Sequence, residues 1–196
     1  MSISIIDGTG SGKLTGVTSD NRIKAIAVSY TGLEAGALGF NGYYIDTGVI
    51  TLTSANESAI LYVKNNHTTL LLQLSTILYS FGNSNANGDI IVKSYINSTG
   101  GTIISAGSAP AVSNRNFGST VPAQVTSFVG GEAKTITGGT LGLSRIYATP
   151  RTDLVTPGVK LPVGTNITTT ITPPTSNTSI KVGIAYVVQF IDPAGI

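Results

Sequence analysis

The chain has 196 residues, enough for one domain that buries a full core without disulfide or metal staples. It has no Cys, no Trp and a single His, which excludes disulfide frameworks, thiolate metal sites and His-based metal clusters. Eleven basic residues stand against nine acidic ones, giving a net charge of +2. The nearest approach to a basic cluster, Lys13, Arg22 and Lys24, is too dispersed to be a nucleic-acid footprint. With 10% charged residues, the surface is expected to be Thr, Ser, Asn and Gly, which repels its own copies weakly and suits packed assemblies.

Residues 1–20 read as a Gly-punctuated arm: alternating Ile3 and Ile5, then Asp7-Gly-Thr-Gly-Ser-Gly-Lys13. The start has no positive n-region and its apolar run is short, so no Sec export is expected. No run is long enough for a membrane helix; the densest, Ile184 to Ile191, stops at Asp192-Pro193. The glycines invite a phosphate-loop reading that fails. Asp7 stands where the first Gly belongs, and Leu14 stands where the magnesium-binding hydroxyl belongs.

Residues 21–196 read as a single domain. Arg22 to Tyr30 is the first clear strand, and Thr31 to Asn41 is a loop. Strands then follow at Val49–Thr53, Ser58–Lys64 and Thr69–Tyr79. In the last of these, Leu70, Leu72, Leu74 and Leu78 are expected on one face, with Thr69, Gln73 and Ser75 on the other. Phe81 to Asp89 is a polar loop, and Ile90–Ile96 returns as a strand. Residues 97–144 read as long loops with short strands and a helical turn near 121–128. Gly158–Val163, Asn166–Thr172 and Ser179–Ile191 close the chain, the last strand being the strongest and expected at the sheet centre. Short strands between turn signals, with no crossover helices, predict an all-β, antiparallel, jelly-roll-like β-sandwich with an extended N-terminal arm.

Candidate chemistry is sparse. His67 lies in the turn Asn65-Asn-His-Thr68 without a nucleophile-elbow motif, and is read as a turn residue. The nine carboxylates, Asp7, Asp20, Glu34, Asp46, Glu57, Asp89, Glu132, Asp153 and Asp192, are scattered, with no spacing that predicts a glycosidase pair. Asp and Asn within 83–89 lack the EF-hand pattern and its closing Glu. The Asn-x-Ser/Thr sequons, among them Asn66, Asn97 and Asn166, read as a by-product of composition. The tyrosines read as core aromatics more than as a sugar-stacking patch. No catalytic residue, metal site or cofactor is expected.

Four pieces carry a resemblance: Asp7-Gly-Thr-Gly-Ser-Gly12, Ser19-Asp-Asn-Arg-Ile23, Ile45 to Thr53, and Glu57-Ser-Ala-Ile-Leu-Tyr-Val-Lys-Asn-Asn66. Together they resemble small virion proteins of tailed bacteriophages, mainly over residues 7–80. The resemblance implies a non-enzymatic decoration or cement protein on the capsid exterior, made in the host cytoplasm. Its partners would be the major capsid protein and itself, as a homotrimer, with no nucleic acid and no membrane. The arm is the candidate clamp, through Ile3, Ile5, Ile6, Lys13 and Leu14, by strand addition to a partner's sheet edge. The same segment also reads as the first strand of the protein's own sandwich. An alternative function is a host-recognition or carbohydrate-binding module of a phage fibre.

Overall fold

Val, Ile and Thr crowd the segments that become strands, because β-branched side chains pack well on a pleated surface. A computed structural model describes residues 41–83, 88–148, 151–176 and 179–193. The arm residues Ile3, Ile5, Ile6, Lys13 and Leu14, and the strand expected at 22–30, lie outside the described residues.

The elements are β1 (Gly42–Asp46), β2 (Ile50–Leu52), β3 (Ser58–Asn65), β4 (Leu71–Asn83), β5 (Asp89–Gly100) and α1 (Thr102–Ala106). They continue with β6 (Ala111–Asn114), β7 (Val125–Val129), β8 (Thr137–Ala148), β9 (Arg151–Val155), β10 (Val159–Leu161), β11 (Asn166–Thr172) and β12 (Ile180–Ile191). One sheet runs β10-β4-β12-β1-β6, with β9 also on β4 and β2 also on β12. The other runs β7-β3-β11-β5-β8. Every strand pairing among the described residues is antiparallel. The chain crosses between the sheets repeatedly, at β2 to β3, β3 to β4, β4 to β5, β5 to β6, β6 to β7, β8 to β9, β10 to β11 and β11 to β12, so the all-β sandwich expected from the sequence is the fold.

The core fills the space between the sheets. Ile180, Val182, Ile184, Tyr186 and Val188 of β12 are almost fully buried, and β12 sits centrally, as its uninterrupted alternation predicts. Ile167 and Ile171 of β11 and Ile90 and Val92 of β5 belong to the same core from the opposite sheet.

The sequence misleads at β4. Leu74 pairs with Val188, but Thr76 pairs with Val187, so Ser75 is an extra residue in a bulge. The bulge reverses the alternation beyond it. Ile77, Tyr79 and Phe81 turn into the core, and Leu78 is left half-buried on the other face. Leu70, expected in the core, precedes the strand and is only half-buried. A second bulge in β3 has a similar effect. Ile60, Leu61 and Val63 join the main core, whereas Ala59 and Tyr62 face a smaller cluster around Ile103 of α1.

The 97–144 stretch is more regular than expected. β5 runs on to Gly100, β8 is a twelve-residue strand, and 125–129 is the strand β7 instead of a helical turn. The short helix lies at 102–106. Here α1 and residues 130–137 lie over the outer face of the second sheet. Gly130 permits this approach, since a Cβ there would lie 1.9 Å from the Ala59 carbonyl oxygen. That cover explains why Ser58, Ser98, Thr168 and Thr170, expected at the surface, are buried, whereas Ser94 and Thr169 are buried because they face the core between the sheets.

Candidate functional site

Two sheets leave two open flanks, and one of them carries a cleft. β8 ends the second sheet, and β9 and β10 lie on the outer side of β4 in the first. Between these lips is a cavity of about 500 Å³. Its lining includes the buried Ile77, Val155, Leu161 and Ile167, with Ile96 and Val159 partly buried beside them. Ser94, Asn97, Thr156 and Thr165 add hydroxyl and amide groups. Among the described residues, the charged ones on the lining are Arg145 of β8 and Lys160 of β10, both exposed.

Alternation along β8 places Arg145 and Tyr147 on the inward side, opposite Val92 and Ile90 of β5. The Tyr147 ring packs on Tyr79 and Phe81, with centroids 5.7 and 5.3 Å away. Asp153 and Arg145 flank the Tyr147 hydroxyl without completing a hydrogen bond. Burial, reinforced by Asp153, raises the Tyr147 pKa. Burial pushes Tyr79 up to about 12, with Tyr147 adding to the effect. Both phenols therefore remain protonated at neutral pH and are poor candidates for a general base. Asp153 itself stands 3.7 Å from the guanidinium of Arg151.

A second cluster lies on the outer face of the other sheet's central strands. Glu57 accepts hydrogen bonds from Lys93 Nζ at 2.8 Å, Thr170 Oγ1 at 2.6 Å and Tyr95 OH at 3.2 Å. Burial alone would raise its pKa, but the Lys93 and Thr170 hydrogen bonds and the Lys93 charge outweigh that and lower it. A carboxylate so occupied is a structural tie and has little capacity to take up a proton. Glu132 is similar: it accepts from the Thr53 amide and from the Ser54 amide at 3.0 Å, and so fixes the end of β2. Burial opposes ionisation of Glu132, yet these bonds bring its pKa down. Asp46 accepts from the Gly48 amide within a turn.

His67 sits in the turn between β3 and β4. Its Nδ1 accepts from the amides of Thr69 and Leu70, at 3.0 and 2.9 Å. Its ring lies 5.1 Å from that of Phe190. Asn65 works in the same turn, donating to the carbonyls of Leu70 and Leu161 while accepting from the His67 amide. The only imidazole in the chain is thus a backbone cap.

Among the described residues, no group of three His, Cys, Asp or Glu side chains is placed to hold a metal ion. Part of the polar 83–89 loop lies outside the described residues. No described helix is long and apolar enough to cross a membrane. The sequon residue Asn166 is buried, with its side chain bonded to both the amide and the carbonyl of Ser98. Tyr43, Tyr62, Tyr79, Tyr147 and Tyr186 are buried, which fits the reading of the tyrosines as core residues.

Sequence reasoning missed the flank cleft. Its lips come from β9, which the sequence reading left out, and from β8, which it read as loop. No family model, curated protein or solved structure matches the chain.

Proposed function

We propose that this chain is a non-enzymatic structural protein of a phage particle, a decoration or cement subunit on the capsid exterior. Its partners in this reading are the major capsid protein and further copies of itself. One observation carries the assembly role. Val112, Phe117, Val121 and Leu141, all between residues 97 and 144, are exposed on a weakly charged molecule, Phe117 to 84%. Exposed large apolar side chains are what the centre of a self-contact would bury, and they support this reading. The described histidine and glutamates support the same reading, because each is used within the framework. The phage context rests on the resemblance of residues 7–80.

The carbohydrate-binding alternative finds less support. Sugar sites use aromatic platforms and carboxamides, and among the described residues the flank cleft has no aromatic on its lining and one carboxamide, Asn97. The test is co-sedimentation of the purified protein with phage heads stripped of their decoration protein. Saturable binding that raises the heads' resistance to heat or chelator is the expected result. Failure to bind heads, together with binding on a glycan array, would replace this reading with the alternative.

A further inference from the structure

The flank cleft has the make-up of a ligand site that the assembly role does not use. Its volume of about 500 Å³ falls within the range of small-molecule pockets. Ile77, Val155, Leu161 and Ile167 give it a dry floor between the sheets, where an aliphatic chain would be shielded from water. Arg145 and Lys160 supply positive charge, and no carboxylate among the described residues lines the cavity. Neither cation forms an ion pair with a described residue, since Lys93 holds Glu57 and Arg151 stands by Asp153. Unpaired cations beside an apolar trough complement a molecule that is greasy at one end and anionic at the other.

We propose that this cleft binds an anionic amphiphile of the medium-chain carboxylate class. The aliphatic tail lies along Ile77, Val159, Leu161 and Ile167, and the carboxylate meets Arg145 at the lip. A guanidinium is suited to this, because its paired N–H donors match the two carboxylate oxygens.

The test is isothermal titration calorimetry with dodecanoate below its micelle concentration. Dodecanol and dodecyltrimethylammonium serve as uncharged and cationic probes of the same tail. Saturable one-to-one binding of dodecanoate is expected, with both other probes weaker. Arg145→Gln should weaken dodecanoate about tenfold, the worth of a charge-assisted hydrogen bond, and leave dodecanol unchanged. Thr156→Trp, at an exposed lip position, should block all three probes. Both variants change exposed residues, and circular dichroism checks that they fold. The proposal falls if the wild type shows no saturable binding, if the cationic probe binds as well as the carboxylate, or if Thr156→Trp binds like wild type.

Discussion

The hydroxyls of Thr169 and Tyr186 hydrogen-bond to each other in the middle of the sandwich, one from each sheet. Thr169 Oγ1 also lies 2.9 Å from Ser94 Oγ, so three buried hydroxyls form a chain. Burial drives the Tyr186 pKa up far beyond the ordinary phenol value, which keeps it a neutral donor. Thr169→Val removes the middle of the chain and strands its neighbours, at a cost of about 1–3 kcal/mol. Tyr186→Phe leaves Thr169 its Ser94 partner and should cost less. The double variant should cost less than the sum of the singles, because the orphaned phenol is gone. Urea unfolding of all four proteins measures the coupling; strict additivity would mean that the contact carries no energy.

The bulge at Ser75 makes an opposite prediction for two neighbouring residues. Ile77 is buried in the core, while Leu78 is half-buried on the outer face. Ile77→Ala should cost about 2–5 kcal/mol, as should Leu72→Ala and Ile184→Ala. Leu78→Ala should cost about 1 kcal/mol or less. Chemical denaturation decides it: a greater loss at Leu78 than at Ile77 would restore the uninterrupted alternation and remove the bulge.

Glu57 predicts a pH effect whose sign is fixed. Its folded pKa lies below the ordinary value of 4.5. The carboxylate therefore contributes stability that is present above about pH 4.5 and is lost as pH falls through the lower folded value. Lys93→Gln removes the ammonium, so the Glu57 pKa should rise, and the acid limb of the stability curve should move to higher pH. Carboxyl carbon NMR titration reads this directly. At neutral pH the variant should lose about 1 kcal/mol or less, since the pair is partly exposed.

His67→Ala should lower stability by about 0.5–2 kcal/mol, because two turn amides lose their acceptor. Attachment of the protein to heads should stay unchanged. His67→Asn keeps a short acceptor in the turn and should recover part of the loss, as thermal unfolding would show. A loss of attachment with stability intact would give His67 a role in contact.

What the sequence made legible follows from where its periodicity is clean. β12 alternates without a break and lies where that alternation puts it. β11 reads as a strand because Asn166 to Thr172 is nearly all β-branched. The bulges in β3 and β4 were invisible, since an extra residue looks the same as any other until a partner strand sets the register. β8 was hidden by Gly138, Gly139 and Gly142, which punctuate it like a loop; pairing with β5 carries the strand through them, with a bulge at Gly142. The flank cleft could not be read either. It depends on which strands end their sheets, and neighbours in space such as Arg145 and Lys160 carry no shared motif. The burial of Thr168 and Thr170 depends on α1 and residues 130–137 covering that face, which composition does not encode.

The last prediction concerns assembly. Identical subunits that bury the same patch close most readily into rings, and a trimer matches the local symmetry of a capsid lattice. A stable contact needs about 1,600 Å² of buried surface, with large apolar side chains at its centre. The exposed Phe117 and Val121 are candidates for that centre, in a loop tied to β1 by the Tyr43 hydroxyl's hydrogen bond to the Pro122 carbonyl. A homotrimer at micromolar concentration is therefore the expected species in sedimentation velocity. Phe117→Ser with Val121→Ser should shift it to monomer without unfolding, because neither side chain is in the core. Deleting residues 2–20, which contain Ile3, Ile5, Ile6, Lys13 and Leu14, should leave the trimer and abolish attachment to stripped heads. The two interventions separate the contacts: one acts on copies of the chain, the other on the capsid. Equal binding of full-length and truncated protein would remove the arm as the clamp, and a double-Ser variant that stays trimeric would move the self-contact away from the loop that carries Phe117.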